Sequence, residues 1–152
     1  MKIFYFAYGS NMDRNRMIEE RDVRILSEKV GFIEGWKIVF NKIATFPSGS
    51  GYANIAKEKN SKVYGVLYEI EDSDLGKLDK YEGYPTHYKR EQITVILNNG
   101  KKIIAEVYIA QGNQTQEGLK PTKEYMKYLI NGAKQRNLPI AYIKFLESIE
   151  VL

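Results

Sequence analysis

The chain has 152 residues, the size of one ordinary domain, and its 43% hydrophobic content is enough to build a core. The absence of cysteine rules out disulfides, thiolate zinc sites and a cysteine nucleophile, and the single histidine, His87, argues against a histidine-based metal centre. The net charge is +4, but lysine and arginine are scattered among 19 acidic residues, which favours a solvated surface over a nucleic-acid-binding face.

The N-terminal segment, Met1 to Tyr8, is apolar but far too short to cross a bilayer. The small-residue cleavage pattern that follows a basic start in a signal peptide is also missing. We therefore expect a cytoplasmic protein with no membrane partner. No repeat, linker or low-complexity tract interrupts the chain, which predicts a single domain over residues 1–152.

The first predicted element is a buried strand from Lys2 to Ala7, an apolar and aromatic run that stops before Gly9. Asn11 or Asp13 then caps a short helix that runs to about Glu20. A polar turn that contains Gly9 joins this strand to the helix.

The next part of the chain is rich in β-branched and aromatic residues. Val23 to Phe40 is interrupted by two glycines, which predicts either two strands or one bent strand. A loop follows from Ala44 to Gly51, and two further strands are predicted at Tyr52 to Ala56 and at Lys62 to Ile70. Both faces of the second are largely apolar, which favours a central position in the sheet.

Asp72 or Ser73 begins a short helix that ends at Gly83. Two β-rich runs follow, His87 to Leu97 and Lys101 to Ala110. They flank an Asn-Gly pair, which is the strongest local hairpin signal in the chain.

Gln111 to Lys120 is polar and predicts a loop, after which Pro121 begins a helix that ends at Asn137. A last helix is predicted from about Ala141 to Ile149. Strands therefore precede helices, without regular βαβ alternation. This order predicts an α+β fold with a curved, partly closed sheet and argues against a doubly wound nucleotide-binding fold.

Gly9, Ser10 and Asn11 form the turn at which the first strand ends. Such a turn leaves backbone N–H groups unpaired, so it can bind an anion or a polarised carbonyl, and glycine lets a ligand approach the backbone. An ordinary strand-to-helix turn, with Ser10 or Asn11 as its cap, explains the same residues.

Glu82 lies between aromatic residues at a helix end. A glutamate in apolar surroundings resists ionisation, so its pKa rises into the range useful for general acid/base catalysis. The alternative is an exposed residue at a helix end. Among the tyrosines, Tyr88, Tyr108 and Tyr125 fall at the start or end of an element, where a hydroxyl can face a cavity, although most tyrosines are core or rim residues.

Four segments together resemble the gamma-glutamylcyclotransferase family, and they occur in the right order over nearly the whole chain. The segments are Tyr5-Phe6-Ala7-Tyr8-Gly9-Ser10-Asn11-Met12, Val63-Tyr64-Gly65-Val66-Leu67-Tyr68, Leu78-Asp79-Lys80-Tyr81-Glu82-Gly83, and Asn131-Gly132-Ala133-Lys134 with the residues through Tyr142. The resemblance implies a small mixed β-barrel with flanking helices and a cavity at the first turn.

By the same resemblance, Glu82 takes the catalytic role. The residues implied to bind substrate are Tyr5, Phe6, Ala7, Tyr8, Gly9, Ser10, Asn11, Tyr88, Tyr108 and Tyr125. The implied partner is a small-molecule gamma-glutamyl substrate, which would be converted into 5-oxoproline and a free amine without a metal or other cofactor.

Three alternatives stay open at this stage. They are an inactive binding module of the same fold, a cyclotransferase for a gamma-glutamylated biosynthetic intermediate, and a basic, tyrosine-rich nucleic-acid binder. The loop from Asn41 to Gly51 is where we expect the leaving amine to be selected. The short apolar tail ending at Leu152 packs either on the domain or on a second subunit, which leaves a homodimer open.

Overall fold

Five strands close into a barrel in the computed structural model, which describes residues 1–152. The strands are β1 (Lys2–Ala7), β2 (Ser27–Ile43), β3 (Gly51–Glu71), β4 (Tyr88–Leu97) and β5 (Lys102–Ala110). Their order around the barrel is β1-β3-β2-β4-β5. All neighbouring pairs are antiparallel except β1 and β5, which meet in parallel where Tyr5 faces Glu106. This confirms the predicted α+β fold with a small mixed β-barrel.

Three helices flank the barrel: α1 (Asp72–Glu82), α2 (Lys123–Gln135) and α3 (Ile140–Glu147). Gly83 ends α1 in the left-handed conformation, with φ of 66°. The Thr122 side chain caps α2 by accepting a hydrogen bond of 3.1 Å from the Tyr125 N–H. None of the helices combines the length and the apolar character that a transmembrane span needs.

β2 and β3 are longer than the sequence indicated. The two strands predicted at Tyr52 to Ala56 and Lys62 to Ile70 are parts of one continuous strand, β3, so the predicted break is wrong. Trp36 faces Lys57 and Glu34 faces Lys62, so residues 58–61 bulge opposite Gly35, whose φ is 83°. Residues 58–61, the polar stretch between the two predicted strands, are an exposed bulge within β3.

The ends of β2 also differ from the prediction. The strand starts at Ser27 instead of Val23 and continues through Ile43, so Asn41 and Lys42 lie in a strand and the loop starts at Ala44. Lys42 faces Tyr52 of β3, and this pairing extends the ribbon formed by the two strands. As a result Lys42 is held by the sheet, which matters for the cavity described below.

The helix predicted up to Glu20 is divided in two. A 3-10 turn covers Ser10–Met12, and a π-helical turn covers Arg16–Glu20. Asp13 separates them because its backbone is extended, with ψ of 120°, and its carboxylate accepts a hydrogen bond of 3.0 Å from the Arg16 N–H.

Two glycines allow the close packing that places the first turn. At Gly65 of β3, an added Cβ would lie 2.3 Å from the Ala7 carbonyl oxygen and 2.7 Å from the Phe6 ring. At Gly132 of α2, an added Cβ would lie 2.5 Å from the Met12 Cβ. The end of β1 is therefore held between β3 and α2.

The C-terminal tail packs on its own chain. The Leu152 N–H donates a hydrogen bond of 2.9 Å to the Pro121 carbonyl at the start of the segment leading into α2. Of the two positions left open by the sequence, the structure therefore shows packing on the domain.

Candidate active site

A cavity of about 500 Å³ opens beside the end of β1. Its walls come from the turn after β1, the end of α1, the facing ends of β2 and β3, and α2. A volume of this size accommodates a small molecule such as a modified dipeptide. Two of the segments that resemble the family, the turn after β1 and the end of α1, therefore meet at this cavity.

The turn after β1 presents free backbone donors. The N–H groups of Gly9, Ser10 and Asn11 make no hydrogen bond within the chain, whereas the Gly9 carbonyl accepts one of 3.0 Å from Met12. An added Cβ at Gly9 would lie 3.2 Å from the Ala53 Cβ and 3.4 Å from the Tyr125 hydroxyl. All three turn residues line the cavity, so the turn can receive a polarised oxygen.

A network of side chains fixes this turn from behind. The Tyr68 hydroxyl donates a hydrogen bond of 2.7 Å to the Asn11 carbonyl. The Arg136 guanidinium, at the end of α2, donates to the Met12 carbonyl, to the Tyr68 hydroxyl at 2.9 Å and to the Glu28 carboxylate at 2.6 Å. The side chain of Arg136 is only 5% exposed, so strand, helix and turn are joined by a buried ionic network.

Glu82 is the last residue of α1 and points into the cavity, where Asn11 Nδ2 donates a hydrogen bond of 3.4 Å to its Oε1. Burial raises the pKa of Glu82 to about 7, and the negative charge of Asp79 raises it further. The positive charges of Arg21, Arg16 and Lys42 act in the opposite direction and lower it. The residue is half-buried and not a freely solvated one at a helix end. It therefore ionises in the range in which a carboxylate can both accept and return a proton.

Three of the tyrosines that line the cavity have hydroxyls that are hydrogen-bonded to the protein. Tyr88 donates to the Ala53 carbonyl at 2.8 Å, and Tyr125 accepts from the Ala53 N–H at 3.0 Å. Tyr108 donates to Asp79 Oδ1 at 2.7 Å. Burial raises the pKa of all three tyrosines, that of Tyr125 to about 12, so they remain neutral and shape the wall.

Most of the residues that the sequence indicated come together in this cavity. Those that line it are Glu82 together with Tyr5, Phe6, Tyr8, Gly9, Ser10, Asn11, Tyr88, Tyr108 and Tyr125. Ala7 does not line it, because Ala7 is buried and its carbonyl oxygen lies against Gly65 of β3. The Tyr5 hydroxyl accepts a hydrogen bond of 3.0 Å from Asn11, the residue that also contacts Glu82.

Four cationic residues of the lining were not singled out from the sequence: Arg16, Arg21, Lys42 and Lys80. The Arg21 guanidinium lies 4.2 Å from the centroid of the Tyr81 ring, next to Glu82. Glu82 is the only acidic residue in the lining. The cavity is therefore positively charged and suited to an anionic ligand, a property that no local sequence pattern carries because the cations come from separate segments.

Fold and site together define an enzyme: a closed barrel holds one perturbed carboxylate beside free backbone donors in a cationic cavity. Residues 5–128 match the family model described as "Gamma-glutamyl cyclotransferase, AIG2-like". The chain belongs to this family.

The individual relatives agree with the family assignment. The gamma-glutamylcyclotransferase of Bos taurus is 32% identical over 154 residues, covering 96% of this chain and 78% of the relative, and that of Homo sapiens is 30% identical with the same coverage. A solved structure described as a gamma-glutamyl cyclotransferase is 28% identical, with a TM-score of 0.85, and covers 100% of this chain and 90% of that one. YkqA of Bacillus subtilis, at 22% identity and a TM-score of 0.83, shares the fold over 56% of its length.

Proposed function

We propose that this enzyme converts a gamma-glutamyl amine or dipeptide into 5-oxoproline and the free amine or amino acid, with Glu82 as general acid/base. The observation that carries the proposal is the position of Glu82, which has a pKa of about 7 and lies within hydrogen-bond reach of the turn that offers free N–H groups. Each part of the reaction then has a group in the cavity that serves it.

The first step is a proton transfer. The α-ammonium of the substrate, with a pKa of about 8, must lose a proton before its nitrogen can attack. The ionised Glu82 carboxylate accepts that proton. The amine nitrogen then bonds to the carbon of the γ-carbonyl and closes a five-membered ring. The carbonyl oxygen becomes negative, and the ring nitrogen becomes positive because it still carries two protons.

The negative oxygen is stabilised by donors that are already in place. In the proposal these are N–H groups of Gly9, Ser10 or Asn11, which have no partner within the chain. Loss of one such donor typically costs about 10²- to 10³-fold in rate. The network behind the turn, through Tyr68 and Arg136, holds it in one geometry, so the donors need little reorganisation during the reaction.

The last step breaks the bond between the γ-carbon and the amide nitrogen. Glu82, protonated by the first step, gives its proton to that nitrogen, and the bond breaks as the carbonyl of 5-oxoproline re-forms. The ring nitrogen releases its extra proton to the regenerated carboxylate, and Glu82 passes that proton to the expelled amine, which leaves as an ammonium. The two protons lost by the attacking nitrogen are then the two gained by the leaving nitrogen, and the carboxylate is regenerated without a covalent enzyme intermediate. A group with a pKa of about 7 is suited to these transfers, because it is partly ionised near neutral pH.

The proposal is tested by measuring 5-oxoproline release from γ-glutamyl-alanine, glutathione, γ-glutamyl-ε-lysine and a γ-glutamyl alkylamine. We expect turnover of at least one compound and a loss of about 10²- to 10⁴-fold in the Glu82→Gln variant. Glu91→Gln, at an exposed position on β4, is the matched control and should keep full activity. If Glu82→Gln retains turnover, another group is the base. If none of the compounds yields 5-oxoproline, the cyclotransferase proposal is wrong and the chain is better explained as a binding module.

A further inference from the structure

Lys42 is a buried cation without a counter-ion. Its residue is 5% exposed, and its Nζ donates one hydrogen bond, of 2.8 Å, to the Ile43 carbonyl. No carboxylate lies within ion-pair distance of it. An ammonium carries three donors, so two of them lack a protein partner. Burying a charge in this way is unfavourable unless something else compensates it.

The Lys42 side chain forms part of the cavity wall. It lines the same cavity as Glu82, and its Nζ lies 5.8 Å from the centroid of the Tyr88 ring. Its backbone is held between Tyr52 of β3 and an isolated bridge to Thr115. The sheet therefore holds the backbone of Lys42, its Nζ is hydrogen-bonded to the Ile43 carbonyl, and the side chain faces the cavity.

A second cationic region lies elsewhere in the same cavity. Arg16 and Arg21 lie close enough to influence one another, since the pKa of Arg21 is lowered by burial and by the charge of Arg16. The pKa of Lys42 is lowered by burial and raised by Glu82. Lys42 belongs to β2, whereas Arg16 and Arg21 belong to the π-helical turn after β1 and its end, so the cations of the cavity come from two separate elements.

This distribution of charge matches a substrate with two carboxylates. In a γ-glutamyl amino acid, the scissile amide lies between the α-carboxylate of the glutamyl group and the carboxylate of the leaving residue. The lining of the cavity likewise offers cations from two separate elements, Lys42 on β2 and Arg16 with Arg21 on the π-helical turn after β1. A γ-glutamyl alkylamine offers only the first of these negative groups and leaves the second cation unpaired.

We propose that Lys42 binds a carboxylate on the leaving amine and thereby selects γ-glutamyl amino acids and peptides over γ-glutamyl alkylamines. The inference rests on the proposed cyclotransferase function and assigns within it the residue that reads the leaving group. A charge-assisted hydrogen bond of this kind corresponds to about 10- to 100-fold in affinity.

The test uses two substrates that differ at one group, γ-glutamyl-alanine and γ-glutamyl-isopropylamine, in which a methyl group replaces the carboxylate. We expect wild-type kcat/KM to favour γ-glutamyl-alanine by about 10- to 100-fold, mainly through KM. Lys42→Met should reduce this preference to within about threefold of unity, whereas Lys42→Arg should retain most of it because the charge remains. Lys29→Met, at an exposed position on the same strand, is the control and should keep the wild-type preference.

The ratio of the two substrates separates leaving-group recognition from other effects of the substitution. Lys42 is one of the charges that lower the pKa of Glu82, so its removal raises that pKa, but this acts on both substrates equally and cancels in the ratio. An equal loss on both substrates in Lys42→Met, or a wild-type enzyme with no preference, overturns the inference while the cyclotransferase function stands. Absence of 5-oxoproline from both substrates with wild-type enzyme overturns the proposed function itself.

Discussion

The pKa of Glu82 makes the stability of the protein depend on pH in a defined way. An unfolded glutamate ionises near pH 4.5, whereas burial raises the folded-state pKa of Glu82 to about 7. Between these values the unfolded chain has released the proton and the folded chain still holds it, so raising the pH favours unfolding. The contribution of Glu82 to stability is therefore greatest below pH 4.5 and is lost as the pH rises through 7.

The Glu82→Gln variant removes this titration and serves as the reference. With a pKa of 4.5 in the unfolded chain and about 7 in the folded one, linkage gives a cost of about 1 kcal/mol at pH 5 and about 3 kcal/mol at pH 8. We therefore expect the free energy of unfolding of Glu82→Gln, relative to wild type, to increase by about 2.5 kcal/mol between pH 5 and pH 8. A constant offset between the two proteins does not affect this difference.

The assay is urea denaturation of both proteins at half-unit intervals from pH 5 to pH 8, with equal m-values as the check on two-state behaviour. Glu91→Gln, on the exposed face of β4, tests the chemical effect of the substitution and should stay within about 0.5 kcal/mol of wild type throughout. A difference between Glu82→Gln and wild type that is flat across the range would refute the reasoning. It would mean that Glu82 ionises alike in the folded and unfolded chains and that the cavity does not tune it.

Two further predictions concern the charges around the site. Since Arg21 is the largest of the charges that lower the pKa of Glu82, Arg21→Met should move the acidic limb of the kcat/KM profile to higher pH. An unmoved limb in a pH titration of 5-oxoproline release would contradict that interaction. Arg136→Met leaves Glu28 with only Arg14 as its partner, and we expect a loss of about 2–3 kcal/mol in urea denaturation. Arg136→Lys should recover only part of this lost stability, because an ammonium cannot reproduce the forked contacts of the guanidinium. A loss below about 1 kcal/mol in Arg136→Met would show that the network contributes little to stability.

The parts of the site that the sequence predicted are those in which one short segment carries the whole signal. The turn at Gly9, Ser10 and Asn11 follows from a strand that stops at small and polar residues, and the position of Glu82 follows from a helix that ends at glycine. Local geometry depends on neighbours in the chain, which a single sequence displays. The hairpin of β4 and β5 was predicted for the same reason, since Asn-Gly specifies a turn through its own backbone preferences.

The continuity of β3 was not accessible in this way. Residues 58–61 are polar and resemble a loop, yet the strand continues because β2 pairs with it on both sides of the bulge. Pairing between strands is a long-range interaction, and a polar bulge remains exposed to water without breaking it. The same pairing places Lys42 in β2, although the stretch from Asn41 to Gly51 had been expected to be a loop.

The sequence by itself determined the class of fold, the turn, the position of Glu82 at a helix end and most of the tyrosines of the wall, because each is encoded by neighbouring residues or by segments in a recognisable order. Only the tertiary structure decided the electrostatics of the cavity. Arg16, Arg21 and Lys42 come from different elements and meet around Glu82 only when the barrel closes. The pKa of Glu82 is likewise a property of its surroundings, since it balances the loss of hydration on burial against charges that are distant in the chain.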